Sequence, residues 1–580
     1  MTHPGPLHVR WLGRVPYREA LALQQALFQH GQADHLLLLE HPHVFTHGPR
    51  SDLATNVKVN PAEVDAELVP VKRGGDVTYH GPGQLVGYPI VNVPHSLGAA
   101  EHVATIQRLV VAALRELGLP DVGCLPEYPG VWAGVGGANP RKICAIGVRL
   151  AHGRTMHGFA LNVAPDMRYM RDYIVPCGIG DKPVTSLAEE GVHTDMATVA
   201  GIVARLAGEQ WGSGGVERQD VAWKLRPDDL APFSRGEGPG PAVRSVGDHG
   251  TSLAAPAAAP GAAVSAGGAR AASRLQQAGV SEGLAIATRK PDWLRPKVHL
   301  GTGVLELKRT VREHGLVTVC EEAGCPNLSD CWADGTATFM VLGERCTRAC
   351  GFCLVDTRKP QPPAADEPAR VAAAIARMGL DHAVLTMVAR DDLPDGGFGH
   401  VARCVSAIRE ACPGTRIETL VSDGKGDEAA LTQLLQTGAR PDVFNHNVET
   451  VARLQRAVRP SAGYARSLAV LARAKAAGLT TKTGFMLGLG ETDEEVAGLL
   501  ADLAAIGADI VTIGQYLRPT GNHLPVARWA EPAEFAGWKQ VGEAMGIGHV
   551  EASPLTRSSY HAKLAADSVH TGTDIPLSFV

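Results

Sequence analysis

The residues with the most specific chemistry are three cysteines spaced C-x3-C-x2-C: Cys346, Cys350 and Cys353. The nearest other cysteines are Cys331 and Cys404. Three thiolates on one short loop would therefore bind three irons of a cubane cluster and leave the fourth without a local ligand. An open iron is typical of a cluster that binds a ligand rather than one that only transfers electrons. A zinc site lacking one ligand is the alternative, but the flanks offer no Cys or His at zinc-finger spacing.

A second triplet precedes the first with the different spacing C-x4-C-x5-C: Cys320, Cys325 and Cys331. Two unlike triplets this close predict two clusters, because a single site would leave thiolates unused. The loop that carries the first triplet resembles the radical S-adenosylmethionine enzymes. In that superfamily the open iron takes the amino and carboxylate groups of S-adenosyl-L-methionine.

The sequence after these triplets alternates between strand-like and helix-like segments. Helical patterns such as 368–378 and 461–477 separate six apolar runs: 338–342, 383–388, 416–421, 443–447, 480–487 and 509–516. This alternation predicts an α/β domain with a parallel sheet, a partial (β/α)6 TIM-like barrel. Three polar segments each follow a predicted strand: the cysteine loop, Arg390-Asp-Asp and Asn445-His-Asn-Val-Glu449-Thr. This placement predicts a site at the carboxyl ends of the strands.

Residues 290–562 closely resemble lipoyl synthase in four strings: Arg390-Asp-Asp-Leu-Pro-Asp-Gly-Gly397, Lys482-Thr-Gly-Phe-Met-Leu-Gly-Leu-Gly-Glu491, Gln515-Tyr-Leu-Arg-Pro519 and Arg557-Ser-Ser-Tyr-His-Ala562. The resemblance implies that Cys346, Cys350 and Cys353 hold a catalytic [4Fe-4S] cluster. It also implies that Cys320, Cys325 and Cys331 hold an auxiliary [4Fe-4S] cluster with a serine as fourth ligand.

Two serines compete for that ligand position. We choose Ser558, with Ser559 as the alternative, while a pair of ordinary loop or cap serines is the structural interpretation. A hard alkoxide among soft thiolates is a weak ligand, which suits a cluster that must open and give up sulfur. The string Val421-Ser-Asp, where Pro-Asp is more usual in the family, departs from the pattern but includes no proposed ligand.

The N-terminal half contains a glycine-rich string, Arg73-Gly-Gly-Asp-Val-Thr-Tyr-His80, followed by Gly-Pro-Gly-Gln. Glycines let the backbone pass close to a ligand, and side chains such as Arg73 and His80 would line the resulting groove. The string lacks the order of a phosphate-binding loop, so nucleotide binding is not predicted.

This string, with two others, closely resembles the lipoyl(octanoyl) transferases, which are relatives of the biotin and lipoate ligases. Arg141-Lys142-Ile-Cys-Ala145-Ile146-Gly147 places a lysine at a strand start, and Cys177-Gly-Ile-Gly-Asp-Lys-Pro-Val-Thr-Ser-Leu187 places a cysteine in a loop. The resemblance implies that Cys177 accepts an octanoyl group and that Lys142 activates it, since a nearby ammonium favours a thiolate. It further implies an acyl pocket built from Arg73, Gly74, Gly75, Asp76, Val77, Thr78, Tyr79, His80, Ala145, Ile146, Gly147, Gly158, Phe159 and Ala160.

Several of these residues could also have a purely structural role. Taken alone, Cys177 would be a buried structural cysteine, the role expected of Cys124 and Cys144, and Lys142 would be solvated. Three motifs in family order favour the functional interpretation. Nothing in the sequence gives the histidines His41, His43 and His47 the spacing of metal ligands. We expect them to be hydrogen-bonded within the protein or solvated, and His47 is the one that could face the pocket.

The remaining N-terminal pattern predicts an α+β domain of the biotin/lipoate-ligase type with a mostly antiparallel sheet. Strand-like runs cover 7–11, 36–39, 85–93, 143–150 and 156–163, and helical patterns cover 17–29 and 101–117. Residues 254–269 are almost all Ala, Gly, Pro and Ser, which predicts a flexible linker. The predicted domains are 1–235 and 284–580, joined by a linker at 236–283.

Bulk properties narrow the possible partners and location. A chain of 580 residues is too long to fold around a single hydrophobic core, which predicts two or more domains. With 20% charged residues and a net charge of −5, the chain gives no reason to expect nucleic-acid binding. Residues 1–6 show no signal-peptide pattern, and no apolar run would span a bilayer. The 11 cysteines, an odd number, then predict reduced thiols in a cytoplasmic protein.

The two resemblances imply a bifunctional enzyme of lipoate biosynthesis. Octanoyl-acyl carrier protein would supply the acyl group, and lipoyl domains of 2-oxoacid dehydrogenase E2 subunits and the glycine cleavage H protein would accept it. Sulfur insertion at C6 and C8 would then need S-adenosyl-L-methionine and an electron donor such as ferredoxin or flavodoxin. The alternatives are another radical sulfur inserter, such as a biotin synthase or methylthiotransferase, and an iron–sulfur scaffold fused to an inactive transferase fold.

Overall fold

The computed structural model describes residues 5–94, 96–222, 273–280, 283–285, 288–295, 309, 313, 316–318, 327, 336–436 and 438–570. The chain divides into two compact units, Met1–Trp223 and Lys224–Val580. No helix within the described ranges is both long and apolar enough to cross a membrane.

The first unit is an α+β domain built on an eight-stranded sheet. Its strands are β1 (Leu7–Arg14), β2 (His35–Glu40), β6 (Gln84–Ile90), β7 (Val122–Leu125), β8 (Tyr128–Ala133), β9 (Arg141–Ala151), β10 (Arg154–Asn162) and β11 (Val216–Asp220). They lie in the order β11-β1-β2-β6-β10-β9-β8-β7. Only the pairs β11/β1 and β1/β2 are parallel, so the predicted, mostly antiparallel sheet is confirmed.

A smaller sheet and five helices complete this unit. The small sheet has the order β4-β3-β5, with β3 (Val44–His47), β4 (Glu67–Pro70) and β5 (Thr78–His80). The helices are α1 (Tyr17–Gln29), α2 (Leu53–Asn56), α3 (Ala99–Glu116), α4 (Arg168–Arg171) and α5 (Met196–Trp211). Helix α3 buries Ile106, Leu109, Val110, Ala113 and Leu114, one apolar stripe at helical spacing that packs on the sheet.

The second unit has a sheet whose strands follow one another in chain order. They are β12 (Val317–Thr318), β13 (Thr336–Val341), β14 (His382–Met387), β15 (Arg416–Leu420), β16 (Val443–Asn445), β17 (Thr480–Leu487), β18 (Ile510–Gln515) and β19 (His549–Ala552). Strands β13 to β19 are parallel, and β12 is antiparallel to β13. This is the predicted α/β, barrel-like sheet.

Helices lie between these parallel strands, and the last one follows β19. They are α6 (Glu367–Met378), α7 (Phe398–Ala411), α8 (Glu428–Gln433), α9 (Gln455–Val458), α10 (Tyr464–Ala476), α11 (Asp493–Ala505), α12 (Pro532–Ala544) and α13 (Ala562–His570). All six predicted strands are present, and in the described part of the chain β19 adds a parallel strand at the edge of the sheet that the sequence pattern does not indicate. Its four residues alternate polar and small apolar types, so it lacks the apolar run that marks the others.

The predicted linker at 236–283 lies largely outside the described residues, and both of its boundaries stay predictions. Near its C-terminal end, residues 273–277 are helical, Leu275 is buried, and the Ala278 carbonyl accepts a hydrogen bond from Arg453. Val280 also packs against Gly490.

Candidate active sites

A cavity of about 290 Å3 in the first unit gathers most of the residues predicted for the acyl pocket. Strands β9 and β10 form one wall, where Gly147 pairs with Gly158 and Ile146 pairs with Phe159. A side chain at Gly158 would approach the Gly87 carbonyl oxygen to 2.2 Å, so glycine is needed there. The predicted residues that line the cavity are Arg73, Gly75, Thr78, His80, Lys142, Ala145, Ile146, Gly147, Gly158, Phe159, Ala160 and Cys177.

Four predicted pocket residues do not line the cavity: Gly74, Asp76, Val77 and Tyr79. Asp76 accepts a hydrogen bond from Asn56 Nδ2 at 2.9 Å, and the Val77 carbonyl accepts one from the backbone N–H of Cys177 at 2.7 Å. These contacts fix the cysteine loop against the glycine-rich string. Sequence patterns do not separate lining residues from non-lining ones, because both belong to one continuous motif.

The backbone of Cys177 lies in the left-handed region, with φ 57° and ψ 20°, inside the turn Pro176–Gly178. Gly178 follows with φ 68°. A left-handed conformation is uncommon for a residue with a side chain and often marks a functional constraint. Here it presents a half-buried thiol at the cavity wall.

Lys142 reaches the same cavity from β9 although the residue is only 4% exposed. Its backbone N–H donates to the Pro183 carbonyl and its carbonyl accepts from the Thr185 N–H, each at 2.9 Å. The cysteine loop leads directly into these two partners, so one segment carries the thiol and fixes the lysine. The ammonium nitrogen lies over the Trp132 ring, 5.1 Å from its centroid.

The polar groups in the cavity wall include the cation Arg73 and two histidines, His80 and His157. Arg73 donates hydrogen bonds to Thr46 and to the Asp76 carbonyl, at 2.9 and 3.0 Å. Burial lowers the pKa of His157 to about 3 and holds the pKa of His80 well below its usual range. Both imidazoles are therefore neutral near pH 7 and line the cavity as uncharged polar groups.

The histidine group near β3 is structural, as the sequence indicates. His41 is buried and hydrogen-bonds with the Val15 carbonyl at 2.7 Å and the Tyr88 hydroxyl at 2.8 Å. His43 stacks on Tyr169 with a centroid separation of 4.2 Å. His47 does not line the cavity. Tyr17, Tyr88 and His157 also line the cavity, although the sequence does not predict it, since no motif marks a core aromatic as a cavity wall.

A second cavity, of about 250 Å3, lies at the carboxyl ends of strands β13 to β16. Its walls include all three cysteines of the C-x3-C-x2-C loop: Cys346, Cys350 and Cys353. The loop follows β13 directly, as the strand pattern predicts. Met340, Thr386 and Leu420 line the cavity from the strands, and the Asn447 and Glu449 side chains line it after β16.

Ion pairs of Arg348 hold the C-x3-C-x2-C loop in place. Arg348, between the first two cysteines, contacts both oxygens of Asp391 at 2.7 and 2.8 Å and one oxygen of Asp423 at 2.6 Å. Asp391 belongs to the Arg390-Asp-Asp string. Asp423 belongs to the string that departs from the family pattern, and its neighbours Val421 and Ser422 line the cavity. The departure therefore lies in the site, although it involves no predicted ligand.

The donor set of this cavity fits an iron–sulfur cluster with an open iron. Burial raises the pKa of all three thiols, that of Cys350 to about 11, so cluster assembly would release protons. His446 also lines the cavity, but its Nδ1 is bonded to the Val421 carbonyl at 2.9 Å and its Nε2 to Ser467 at 3.0 Å. In the described part of the cavity wall, no fourth cysteine or unoccupied imidazole faces the three thiols.

Polar residues after β16 form the side of the cavity opposite the cysteines. The backbone of Glu449 is left-handed, with φ 71°, and burial raises the pKa of its carboxyl. Asn447 donates to Glu449 at 3.1 Å and to the Ser558 hydroxyl at 2.6 Å. Arg459 donates to the carbonyls of Asn447 and Val448 at 2.9 and 3.1 Å. This network ties Ser558 to the rim of the cysteine cavity.

Comparison with known families assigns each half separately. Residues 340–503 match the radical SAM superfamily, and residues 16–206 match the lipoyl protein ligase A/B catalytic domain. Lipoyl synthase of Rubrobacter xylanophilus is 53% identical over 285 residues, which cover 49% of this chain and 88% of that protein. Lipoyl synthase of Chlorobaculum parvum is 50% identical over 277 residues, which cover 47% of this chain and 94% of that protein.

The second half of this chain belongs to the lipoyl synthase family. The radical SAM barrel and the three-cysteine loop are thus those of a lipoyl synthase, an enzyme that implies iron–sulfur clusters and S-adenosyl-L-methionine. The first half is a catalytic domain of the lipoate ligase and transferase type, so the chain combines two enzyme domains of lipoate biosynthesis.

Solved structures give only weak likenesses beside the lipoyl synthase match. A bipartite lipoate protein ligase from Thermoplasma acidophilum is 20% identical, with a TM-score of 0.32, covering 38% of this chain and 88% of its own. The FeFe-hydrogenase maturase HydG from Carboxydothermus hydrogenoformans is 16% identical, with a TM-score of 0.32, covering 52% of this chain and 69% of its own. Neither score supports an argument about function.

The three cysteines predicted to bind the auxiliary cluster of the lipoyl synthase half, Cys320, Cys325 and Cys331, lie outside the described residues. Asn327, between the last two, is described, and its Nδ2 donates to the Leu555 carbonyl at 2.6 Å. Asn327 therefore lies beside the segment that leads to Ser558 and Ser559. The assignment of Ser558 as a cluster ligand stays a prediction.

Proposed function

We propose that this chain makes lipoyl-lysine in two steps. The first unit transfers octanoyl from octanoyl-acyl carrier protein to a lysine of a lipoyl domain through a thioester on Cys177. The second unit then adds two sulfur atoms at C6 and C8 of the same chain. The observation that carries the proposal is a buried lysine and a left-handed cysteine on one cavity wall, in a chain whose other half is a lipoyl synthase.

The cavity in the first unit accounts for the transfer step. The Cys177 thiolate attacks the thioester carbonyl, the C–S bond to the carrier breaks, and the carrier leaves as a thiol after taking a proton. The ammonium of Lys142 favours the thiolate by opposing its charge. Ile146 and Phe159 offer apolar wall for the octanoyl chain. The acceptor lysine amine then attacks the acyl-enzyme, which forms the amide and releases the Cys177 sulfur.

The cavity in the second unit accounts for the sulfur step. Cys346, Cys350 and Cys353 would hold a [4Fe-4S] cluster there, which with S-adenosyl-L-methionine would supply the chemistry for removing hydrogen from C6 and C8, and an auxiliary cluster would supply the sulfur. Arg348 orients the cysteine loop through its two carboxylate partners. Met340, Leu420 and Val421 make the cavity partly apolar, which shields a radical from water. A ferredoxin or flavodoxin would supply electrons.

Two features favour this proposal over the alternatives. Identity above 50% to lipoyl synthases favours lipoyl over biotin or methylthio products. The paired Cys177 and Lys142 favour acyl transfer over an inactive scaffold. Acceptors would be lipoyl domains of E2 subunits and the glycine cleavage H protein. A cytoplasmic location remains a prediction of the sequence.

The test supplies octanoyl-acyl carrier protein and an apo lipoyl domain to the anaerobically reconstituted full chain, without ATP. Mass spectrometry of the lipoyl-domain peptide should show an octanoyl adduct, and two added sulfurs once S-adenosyl-L-methionine and a reductant are present. Cys177→Ala should abolish the adduct, whereas Cys346→Ala should leave the adduct and abolish sulfur addition. An adduct in Cys177→Ala would reject the thioester route.

Iron and sulfide quantification tests the two-cluster part separately. Cys346→Ala and Cys320→Ala should each lose one spectroscopically distinct cluster. A wild-type protein with a single cluster, or with zinc, would reject the sulfur-donor role.

A further inference from the structure

Lys142 is only 4% exposed, and its ammonium faces the cavity without a carboxylate partner among the described residues. A cation on a largely buried side chain that has no ion pair depends on the other groups that lie against it. In this cavity an acidic partner would also compete with the Cys177 thiolate for the same cation. Another group must therefore hold the ammonium in the cavity.

Trp132 is the group in contact with the lysine ammonium. The indole is fully buried on β8, and its centroid lies 5.1 Å from Lys142 Nζ, within the range of a cation–π interaction. The indole N–H donates to the Tyr128 carbonyl at 3.2 Å, which fixes the ring orientation. At Gly130, a side-chain carbon would lie 3.1 Å from Lys142 Cε, so the missing side chain lets the lysine stem reach the ring.

The same tryptophan is linked to the cysteine loop. Tyr128 packs edge-on against Trp132 at 5.8 Å, and its hydroxyl donates to Asp181 at 2.8 Å. Asp181 lies four residues after Cys177 in the loop. Strand β8 thus contacts both the lysine side chain and the loop that carries the thiol.

We propose that Trp132 is the positioning residue for Lys142. Its ring face holds the ammonium as a cation and leaves the ammonium N–H groups free, so the positive charge is available to the Cys177 thiolate. A carboxylate at this place would neutralise the lysine, and an aliphatic residue would leave it uncompensated. The proposal rests on the transfer function proposed above and extends it to a residue outside the three motifs.

Other ionisable groups face the same space and must be considered in any pH measurement. The cavity walls carry Tyr17, Arg73, His80, Tyr88, Glu127, Tyr128 and His157, and Cys144 lies next to Lys142 on β9. The loops beside the cavity carry Asp76, Asp181 and Lys182, and Lys182 Nζ lies 5.9 Å from the Tyr128 ring centroid. These groups are the same in all variants compared below, so differences among the variants report on Trp132 and Lys142.

The test measures alkylation of Cys177 by iodoacetamide against pH in the full chain, with the labelled peptide quantified by mass spectrometry. Trp132→Leu should slow alkylation near pH 7 about 3- to 10-fold and move the pH profile upward, because the cation–π contact is lost. Trp132→Phe keeps a weaker aromatic face and should fall between wild type and Trp132→Leu. Alkylation of the exposed Cys124 in the same samples should stay unchanged and controls for folding.

A double-mutant cycle separates positioning from packing. In a Lys142→Met background, Trp132→Leu should slow Cys177 alkylation by less than about 2-fold, because no ammonium remains to be held. Equal slowing in both backgrounds, or an unchanged profile in Trp132→Leu, would overturn the proposal. Because this readout needs no acyl substrate, the expected pattern without octanoyl transfer would reject only the proposed function.

Discussion

At the scale of single residues, both cavities depend on backbone that ordinary side chains adopt with difficulty. Cys177 and Glu449 are left-handed and each faces a cavity. Such positions cost free energy and persist where surrounding contacts impose them. The Cys177 backbone is held by the hydrogen bond from its N–H to the Val77 carbonyl. The Glu449 backbone is held by the hydrogen bond from its N–H to the Gly484 carbonyl, at 2.9 Å.

The glycine at 158 gives a prediction at this scale. In Gly158→Ala the new carbon would clash with the Gly87 carbonyl oxygen at 2.2 Å and with Pro89 Cδ at 2.6 Å. Strands β6 and β10 must then separate, so we expect a loss of about 1–3 kcal/mol in the free energy of unfolding. Octanoyl transfer should fall with it. Chemical denaturation and the transfer assay measure the two effects.

The matched control is Gly201→Ala, inside helix α5 of the same unit. There the new carbon would lie 3.8 Å from Arg218 and meet no closer atom. Alanine is a better helix former than glycine, so stability should stay equal or rise by up to about 1 kcal/mol. A Gly158→Ala protein as stable as this control would contradict the close strand approach.

At the scale of elements, strands β15 and β17 carry a charged pair inside the barrel. Glu418 and Lys482 are fully buried, with Lys482 Nζ 3.1 Å from a Glu418 oxygen. Asn445 on the intervening strand donates to the other Glu418 oxygen at 2.7 Å. The two charges compensate each other, and removal of either member leaves a buried charge without its ion-pair partner.

Lys482→Met should therefore destabilise the second unit by about 3–5 kcal/mol, because the Glu418 carboxylate loses its counter-charge. The control is Lys539→Met, which removes an exposed pair with Glu543 at 3.5 Å and should change stability by less than about 0.5 kcal/mol. Denaturant unfolding of both variants measures the difference. Similar values for the two would show that the buried pair contributes little.

The same pair predicts an acid-sensitive stability. Burial alone would raise the pKa of Glu418, but Lys482, His382 and Asn445 outweigh it and lower this pKa to about 2. A folded-state pKa below the unfolded value stabilises the protein above about pH 5, and this stabilisation is lost as the pH falls through 4.5 toward 2. The lost contribution is about 3 kcal/mol.

Unfolding measured between pH 6 and pH 3 checks this, with Glu418→Gln as the comparison. The variant should be less stable at pH 6 because Lys482 loses its partner, and its stability should fall less steeply with acid. A slope as steep as that of the wild type would show that other carboxyls govern the acid response.

Most elements could be read from the sequence, and the exception has a physical reason. Strands such as β13 are buried along their whole length and appear as uninterrupted apolar or small residues. Strand β19 is short and carries His549 and Glu551, which contact each other. Its pairing with β18 comes from the sheet rather than from its own pattern.

At the scale of the whole molecule, one chain joins two enzyme domains of lipoate biosynthesis, and the proposed product of the first is the proposed substrate of the second. Each domain has its own cavity, and the predicted linker lies between them in sequence. A tether raises the effective concentration of a bound acceptor near the second site when the acceptor reaches both.

Severing the chain within residues 236–270 tests that benefit. With octanoyl-acyl carrier protein as the only acyl source, we expect the severed protein to form lipoylated product more slowly at low enzyme concentration. The control supplies an already octanoylated lipoyl domain, on which severed and intact proteins should insert sulfur equally. Equal flux in the first assay would reject substrate transfer through the tether.

Features that depend on local spacing are visible in the amino-acid sequence alone. Three cysteines within eight residues, a glycine-rich string and alternating strand and helix patterns act through neighbours in the chain, so their chemistry is visible without a structure. These features indicated both enzyme domains. The similarity to lipoyl synthases confirmed the C-terminal domain.

Only the tertiary structure decided which distant groups support these motifs. The Arg348–Asp423 pair spans 75 residues and the Asn447–Ser558 contact spans 111. The ring of Trp132 meets Lys142 because β8 and β9 pair with a register shift at this point. Such contacts follow from strand order and burial, which fix the distance between side chains but leave no pattern in the local sequence.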